Sequence, residues 1–418
     1  MAKKRGSQTT GDGRPQEVLE ALKKTPEARK EFFKNFWVAH RRIQEVAEEL
    51  LRLILDPGDS EVIYLIGATG VGKTTLIKYV IAKLYEIALP TIDRFPGRIP
   101  AAYMEAESPD KGAYDWGKHY INVLVALNEI LIDKKVYLPE PSARRGETKF
   151  HLKGEPRGRT ALRHAAENAL DMRIIYTFFV DEGQYLIKRK SGEGLMDQAD
   201  TFRSLASRSK TLHVIGGTYD LRFLRNLNGQ LGRRSHTVHF RRYKTDGLTV
   251  EEQVEEVKAF TQAFMSFQAY LPVDEEPDLA RHIEFCFTRC LGCIGHLKNW
   301  FLRSLNAALD TGSKTVSPRM FLKAAPKKDV WERIAQEIAD GEPELEMKDE
   351  ELEAELNKLA AADTRPSARS EEKERSVKGG QGKTARKKKQ TTPKGKKSGR
   401  PFMPKPERYP VGLEGTAE

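Results

Sequence analysis

Two kinds of apolar run alternate along this chain. Short, nearly unbroken runs lie at Val62–Ile66, Ala101–Ala106, Ile174–Val180, Leu212–Gly216 and Thr237–Phe240, and they predict strands. Ile174–Val180 carries almost no polar residue, so it reads as a central strand covered on both faces. Between and before these runs, apolar residues return every third or fourth position. Leu19 and Leu22, then Phe32, Phe33, Phe36 and Trp37, open a helical region, and Ile43, Val46, Ala47, Leu50, Leu51 and Ile54 extend it until Asp56-Pro57-Gly58-Asp59 stops it. Further helices are predicted at Thr75–Leu84, at Trp116–Ile132, behind a cap at Thr160, and at Asp197–Arg208. Strands alternating with helices over residues 15–245 predict an α/β domain with a parallel sheet.

The strands stop after residue 245. Thr249 with Glu252 forms a capping box, followed by an apolar stripe through Val250, Val254, Val257, Phe260, Phe264, Phe267 and Leu271. Ile294, Leu297, Phe301, Leu305 and Ala308 form a second stripe. Residues 246–336 therefore read as a small all-helical domain. Residues 337–361 read as an acidic amphipathic helix, with nine Asp and Glu between Asp340 and Glu355. Residues 1–14 and 362–418 are polar, basic and without periodic apolar pattern, so both are expected to be disordered.

Composition narrows the classes. The net charge of +11 over 418 residues is unevenly spread. Residues 363–418 hold 16 Lys and Arg against 7 Asp and Glu, or +9, which leaves +2 for the rest. A global argument for nucleic acid binding from pI would mislead, because the body is near neutral and the tail carries the charge. Three cysteines exclude a disulfide framework and suit a reducing compartment. No apolar run approaches the roughly 18 residues of a membrane helix, and no apolar stretch follows Met1-Ala-Lys-Lys-Arg-Gly6, so neither a secretory leader nor a membrane partner is expected.

The chemistry begins where the first strand ends. Gly67-Ala-Thr-Gly-Val-Gly-Lys-Thr74 fits G-x-x-x-x-G-K-[ST], with a strand before it and a helix after it. Glycines let backbone amides turn inward on phosphate oxygens, and the helix dipole adds to that attraction. Gly67, Ala68, Thr69, Gly70, Val71, Gly72, Lys73, Thr74 and Thr75 are the candidate nucleotide cradle. Lys73 is placed to reach the β- and γ-phosphates, and Thr74 to offer its hydroxyl to Mg²⁺. Phe178-Phe-Val-Asp-Glu182 delivers Asp181 to a strand end where it can hold that ion, with Glu182 beside it to activate water. Thr218 follows the fourth strand and is a candidate for the γ-phosphate or the water. Arg233 and Arg234 precede the last strand without an acidic partner nearby in sequence. They read as an arginine finger for a neighbouring subunit, or as solvated or DNA-facing charge.

This order of motifs resembles AAA+ ATPases, a P-loop class with a helical lid after the sheet. More narrowly, FVDEGQYL (residues 179–186), HVIGGTYDLRFL (213–224) and GQLGRRSHTVHFRRY (229–243) resemble the TnsC/TniB/IstB-like regulators of transposition. The resemblance covers roughly residues 36–310. It implies an ATP- and Mg²⁺-dependent ATPase that forms a homo-oligomeric filament or ring on double-stranded DNA. Such a protein links a target-selection protein of the TniQ type to a transposase, in the nucleoid of a bacterial cytoplasm. It also implies that Thr218 is sensor 1, that Arg233 or Arg234 is the finger, and that His296 or Lys298 stands where AAA+ lids often place an arginine. The alternative is a nucleotide switch or loader, STAND-like or origin-binding, without a stable DNA coat.

Two regions compete for DNA contact. One is the basic loop with Arg144, Arg145, Lys149, Lys153, Arg157 and Arg159, running into Thr160, which otherwise reads as a solvated insertion. The other is the tail, whose Arg386–Lys389 cluster precedes a proline-flanked Phe402, Met403, Tyr409 and Val411 segment suited to docking in a partner. Cys286, Cys290 and Cys293 match a cluster-binding spacing, but on one helix they form a narrow apolar stripe and read first as lid core.

Overall fold

The structure, a computed structural model, describes residues 14–94, 96–109, 113–134, 158–187, 193–226 and 234–363. Five strands, β1 (Val62–Ile66), β2 (Ile99–Glu105), β3 (Ile174–Asp181), β4 (Leu212–Gly217) and β5 (Ser235–His239), form one sheet in the order β2-β3-β4-β1-β5. Every pairing is parallel. The register brings Ile66 beside Gly217 on one side and His239 on the other, and Asp181 beside Glu105. The carboxyl ends of the central strands thus share one edge, which is where open α/β sheets bind ligands.

The unbroken apolar runs have a simple cause: both faces of the sheet are covered. Ile63 and Leu65 of β1 join Phe179 and Val214 under helices Arg41–Leu55 and Lys73–Ala88. Val62, Tyr64 and Ile66 join Phe178, Val180 and Ile215 under helices Trp116–Ala126, Arg159–Arg173 and Glu193–Ser209. Neighbouring side chains on one strand thus enter opposite cores.

Helices Val250–Ala269, Ile283–Arg289, Ile294–Asp310 and Pro318–Lys323 make the lid around Phe260, Phe264, Phe267, Trp300, Phe301 and Phe321. The Trp300 indole N–H donates to the Phe321 carbonyl at 2.6 Å, so the lid's largest buried ring is also satisfied. Thr249 and Glu252 close the expected capping box, with Thr249 N donating to Glu252 Oε2 at 2.8 Å. Phe33, from helix Pro26–Asn35, joins the lid core.

Four local readings change. Helix Arg159–Arg173 is entered from Gly158, and Thr160 lies in its first turn rather than at the cap. Helix Trp116–Ala126 stops six residues early, and the chain then passes through left-handed backbone at Asn128 and Leu131. Val250, Val254 and Val257 are exposed, because the lid core begins one turn later on their helix. The acidic helix starts at Lys328, ahead of the expected 337, and runs to Asp363. Its residues 328–354 belong to a first compact unit with the sheet and lid; residues 355–418 form a second unit, described only as helix to Asp363. The expectations for residues 1–13 and 364–418 lie outside the described residues. No described helix is long and apolar enough to cross a membrane.

Candidate functional site

The phosphate-loop candidate leaves β1 at Gly67 and ends in helix Lys73–Ala88. Gly70 and Gly72 have φ of +78° and +120°, which other residues rarely adopt. A Cβ at Gly67 would come within 2.6 Å of the Phe240 carbonyl oxygen, so the loop's first residue is fixed by close approach to the segment after β5. Ala68 and Val71 are buried behind the loop, and Thr75 is half-buried in the first helical turn.

Lys73 is buried, and its Nζ donates to the carbonyls of Gly67 at 2.8 Å and Ala68 at 3.0 Å. Burial pushes its pKa down, and the nearby carboxylates of Asp181, Glu337 and Glu182 oppose that shift. Thr74 Oγ1 donates to Asp181 Oδ2 at 2.6 Å. Two chain segments 107 residues apart thus place their candidate metal donors in contact. The Tyr103 hydroxyl, from β2, points at the same oxygen at 3.4 Å.

Glu182 sits in left-handed backbone, φ 54°, directly after β3, and its amide donates to Asp181 Oδ1 at 2.9 Å. Its carboxylate accepts from the Gln184 side-chain amide. Gln184 Oε1 in turn accepts from the Thr218 amide at 3.3 Å. Gln184 therefore bridges the candidate base and the end of β4. The only sequence cue was its place two residues after Glu182; nothing local shows that it reaches Thr218.

The lid closes on the loop. Gly295 N donates to Gly70 O at 2.8 Å, and the His296 imidazole packs over Gly70. Lys298 instead donates to the Lys34 carbonyl at 2.8 Å, so of the two lid candidates His296 faces the loop. A residue that the sequence did not single out reaches the loop as well. Glu337, on helix Lys328–Asp363, accepts from Thr69 N at 3.1 Å and from Thr69 Oγ1 at 2.7 Å.

Arg234 stands at the opposite end of the sheet. It pairs with Glu61 at 2.7 Å, 173 residues away, just before β1 begins. It is thus remote from its own chain's loop. Arg233 lies outside the described residues, as do Arg144, Arg145, Lys149, Lys153 and Arg157. Arg159 and Thr160 are exposed on the first turn of their helix.

The three cysteines do not share one helix. Cys286 and Cys290 lie in the lid core; left-handed Leu291 and Gly292 then turn the chain, and Cys293 enters the core beneath the sheet. Burial raises the Cys286 and Cys293 thiols to about 12 and drives Cys290 up as well.

Sheet order, phosphate loop and helical lid together define a P-loop AAA+ fold. Residues 57–225 match the family model described as AAA domain. Among solved structures, the chain is similar to the Aeropyrum pernix ORC2 protein in its ADP form, at 15% identity over 71% of each chain with a TM-score of 0.48. It is also similar to the Walker-type ATPase PABY2304 of Pyrococcus abyssi, at 16% identity over 80% of this chain and 81% of that one, TM-score 0.40. Drosophila ORC bound to DNA matches at 15% identity over 78% and 68%, TM-score 0.40. No curated protein matches the chain.

Proposed function

We propose that the protein binds and hydrolyses ATP with Mg²⁺. The contact between Thr74 and Asp181 carries this reading. It joins two hard oxygen donors at the edge where Lys73 and Glu182 also converge, and such donors suit Mg²⁺. Thr74 and Asp181 would hold the ion, which when bound neutralises charge on the phosphates. The amides of residues 67–74 would cradle the phosphate oxygens, with Lys73 turned from its loop carbonyls towards them. Glu182 would take the proton of the attacking water, and Gln184 would hold that carboxylate in position beforehand. Thr218 would orient the same water or the γ-phosphate.

Glu182→Gln keeps the shape and removes the base. It should retain ATP binding and lower turnover by roughly 10²–10⁴-fold. Lys73→Ala should weaken binding itself. Normal turnover by Glu182→Gln would reject the assignment.

The finer reading rests on sequence resemblance in residues 179–243. It is an oligomer on double-stranded DNA that connects a TniQ-like target-selection protein to a transposase. Arg234 or Arg233 would serve the neighbour's site, and the basic segment 144–160 would hold the DNA backbone. Retention on random duplex DNA that needs ATP and falls with salt would support it. Absence of stable retention with ATP present would favour a switch or loader instead.

A further inference from the structure

Residues 328–346 of helix Lys328–Asp363 pack against segments that leave the ligand edge of the sheet, and Trp331 in their first turn also donates to the Thr288 carbonyl of the lid at 3.3 Å. Ile338 and Leu345 are buried in the core beneath the sheet, together with Ala68 of the loop. Gly341 sits against Tyr219, just past β4. Arg222, also past β4, pairs with Glu344 at 3.1 Å. Past β5, Arg242 pairs with Glu342 at 2.9 Å and Lys244 with Glu346 at 2.6 Å. Glu342 is buried, and burial raises its pKa against the pull of Arg242. A helix so anchored delivers Glu337 to the loop, where its carboxylate takes the amide and hydroxyl of Thr69.

Thr69 is the third residue of the phosphate loop, and loop amides are the groups that bind phosphate oxygens. A carboxylate on such an amide has the charge and the acceptor oxygens of a phosphate, and the charge of Glu337 also reaches Lys73. We propose that this helix is a built-in competitor of the nucleotide: Glu337 occupies phosphate-binding donors when the helix is docked, and ATP binding displaces it. This rests on the reading of the loop as a nucleotide site. The two like charges cannot share the Thr69 amide, so docking of this helix and phosphate binding exclude one another. The alternative is that Glu337 adds to the nucleotide site, for example through water on the ion, and the two predict opposite effects.

The test uses the full chain, a fluorescent ATP analogue with Mg²⁺, and hydrogen exchange of peptides covering residues 328–346. Glu337→Ala removes the acceptor at a half-buried position where alanine suits a helix. It should bind the analogue roughly tenfold tighter, the scale of one charge-assisted hydrogen bond. In the unmodified chain the analogue should speed exchange in residues 328–346, and in Lys73→Ala it should not. Equal or weaker binding by Glu337→Ala, or slower exchange in that helix with nucleotide, overturns the competitor while leaving the nucleotide site standing. If neither the unmodified chain nor Glu337→Ala binds the analogue, the nucleotide reading and the competitor fall together.

Discussion

Gly341→Ala separates two effects that usually travel together. Alanine in place of glycine inside a helix favours the helix by roughly 1 kcal/mol, whatever the helix touches. Here the added Cβ would lie 2.2 Å from Tyr219 Cβ and 2.3 Å from its Cγ, far inside the roughly 3.5–4.0 Å of carbon–carbon contact. The Tyr219 atoms are next to the backbone, and the tyrosine is buried, so no flexible side-chain end can swing aside. The helix must retreat by more than 1 Å, an overpacking cost of about 1–3 kcal/mol. A loss near 2 kcal/mol shifts the docked-to-free ratio by roughly thirtyfold. The same retreat strains the Arg242–Glu342 pair directly beside it. Exchange in residues 334–346 should therefore accelerate at least tenfold, with helical content unchanged or higher and exchange in β1 and β3 unaltered. If residues 334–346 exchange as slowly in Gly341→Ala as in the unmodified chain, the close packing on Tyr219 is wrong.

Acid should destabilise the fold before carboxylates matter. Burial holds His40 and His213 down at about 4 and His119 and His239 at about 3, against 6.5 when unfolded. The unfolded chain binds these protons first, so the stability is whole above pH 6.5 and is lost as pH falls towards 4. The loss is at most about 1.4 kcal/mol per unit per histidine, read as a falling melting temperature that His213→Asn should flatten. The thiols of Cys286, Cys290 and Cys293 should resist alkylation at pH 8 and all react in denaturant; fast labelling of any one in the native protein would contradict its burial. Arg234→Ala should lower turnover more in concentrated than in dilute protein if it serves a neighbour. Arg234→Lys, which can still meet Glu61, controls for the lost ion pair.

The strands and the loop were legible because their causes are local. Buried β-branched runs, glycines at positive φ and a lysine at fixed spacing are written within 15 residues of one another. The companions of the site were not. Glu61 is 173 residues from Arg234, and Thr69 is 268 from Glu337; no periodicity encodes such pairs. Amphipathic pattern likewise marks a face but not its cover, so Val254 and Phe264 look alike along their helix and differ in burial. Cys293 left the expected stripe because Leu291 and Gly292 break the helix, and leucine in left-handed backbone has no sequence signal. Gln184 could be named only after the turn behind Glu182 had brought it to Thr218.

The bond from Gly295 N to Gly70 O ties the first turn of the lid helix Ile294–Asp310 to a single peptide plane of the loop. On the proposed nucleotide reading, that plane belongs to the loop that would face a phosphate. A helix of 17 residues is about 25 Å long, so a tilt of about 5° at its start moves its far end by about 2 Å. Trp300 and Phe301 lie on that lever and are buried in the lid core. On the proposed nucleotide reading, the lid would act as a pointer whose angle follows the direction of one carbonyl at Gly70.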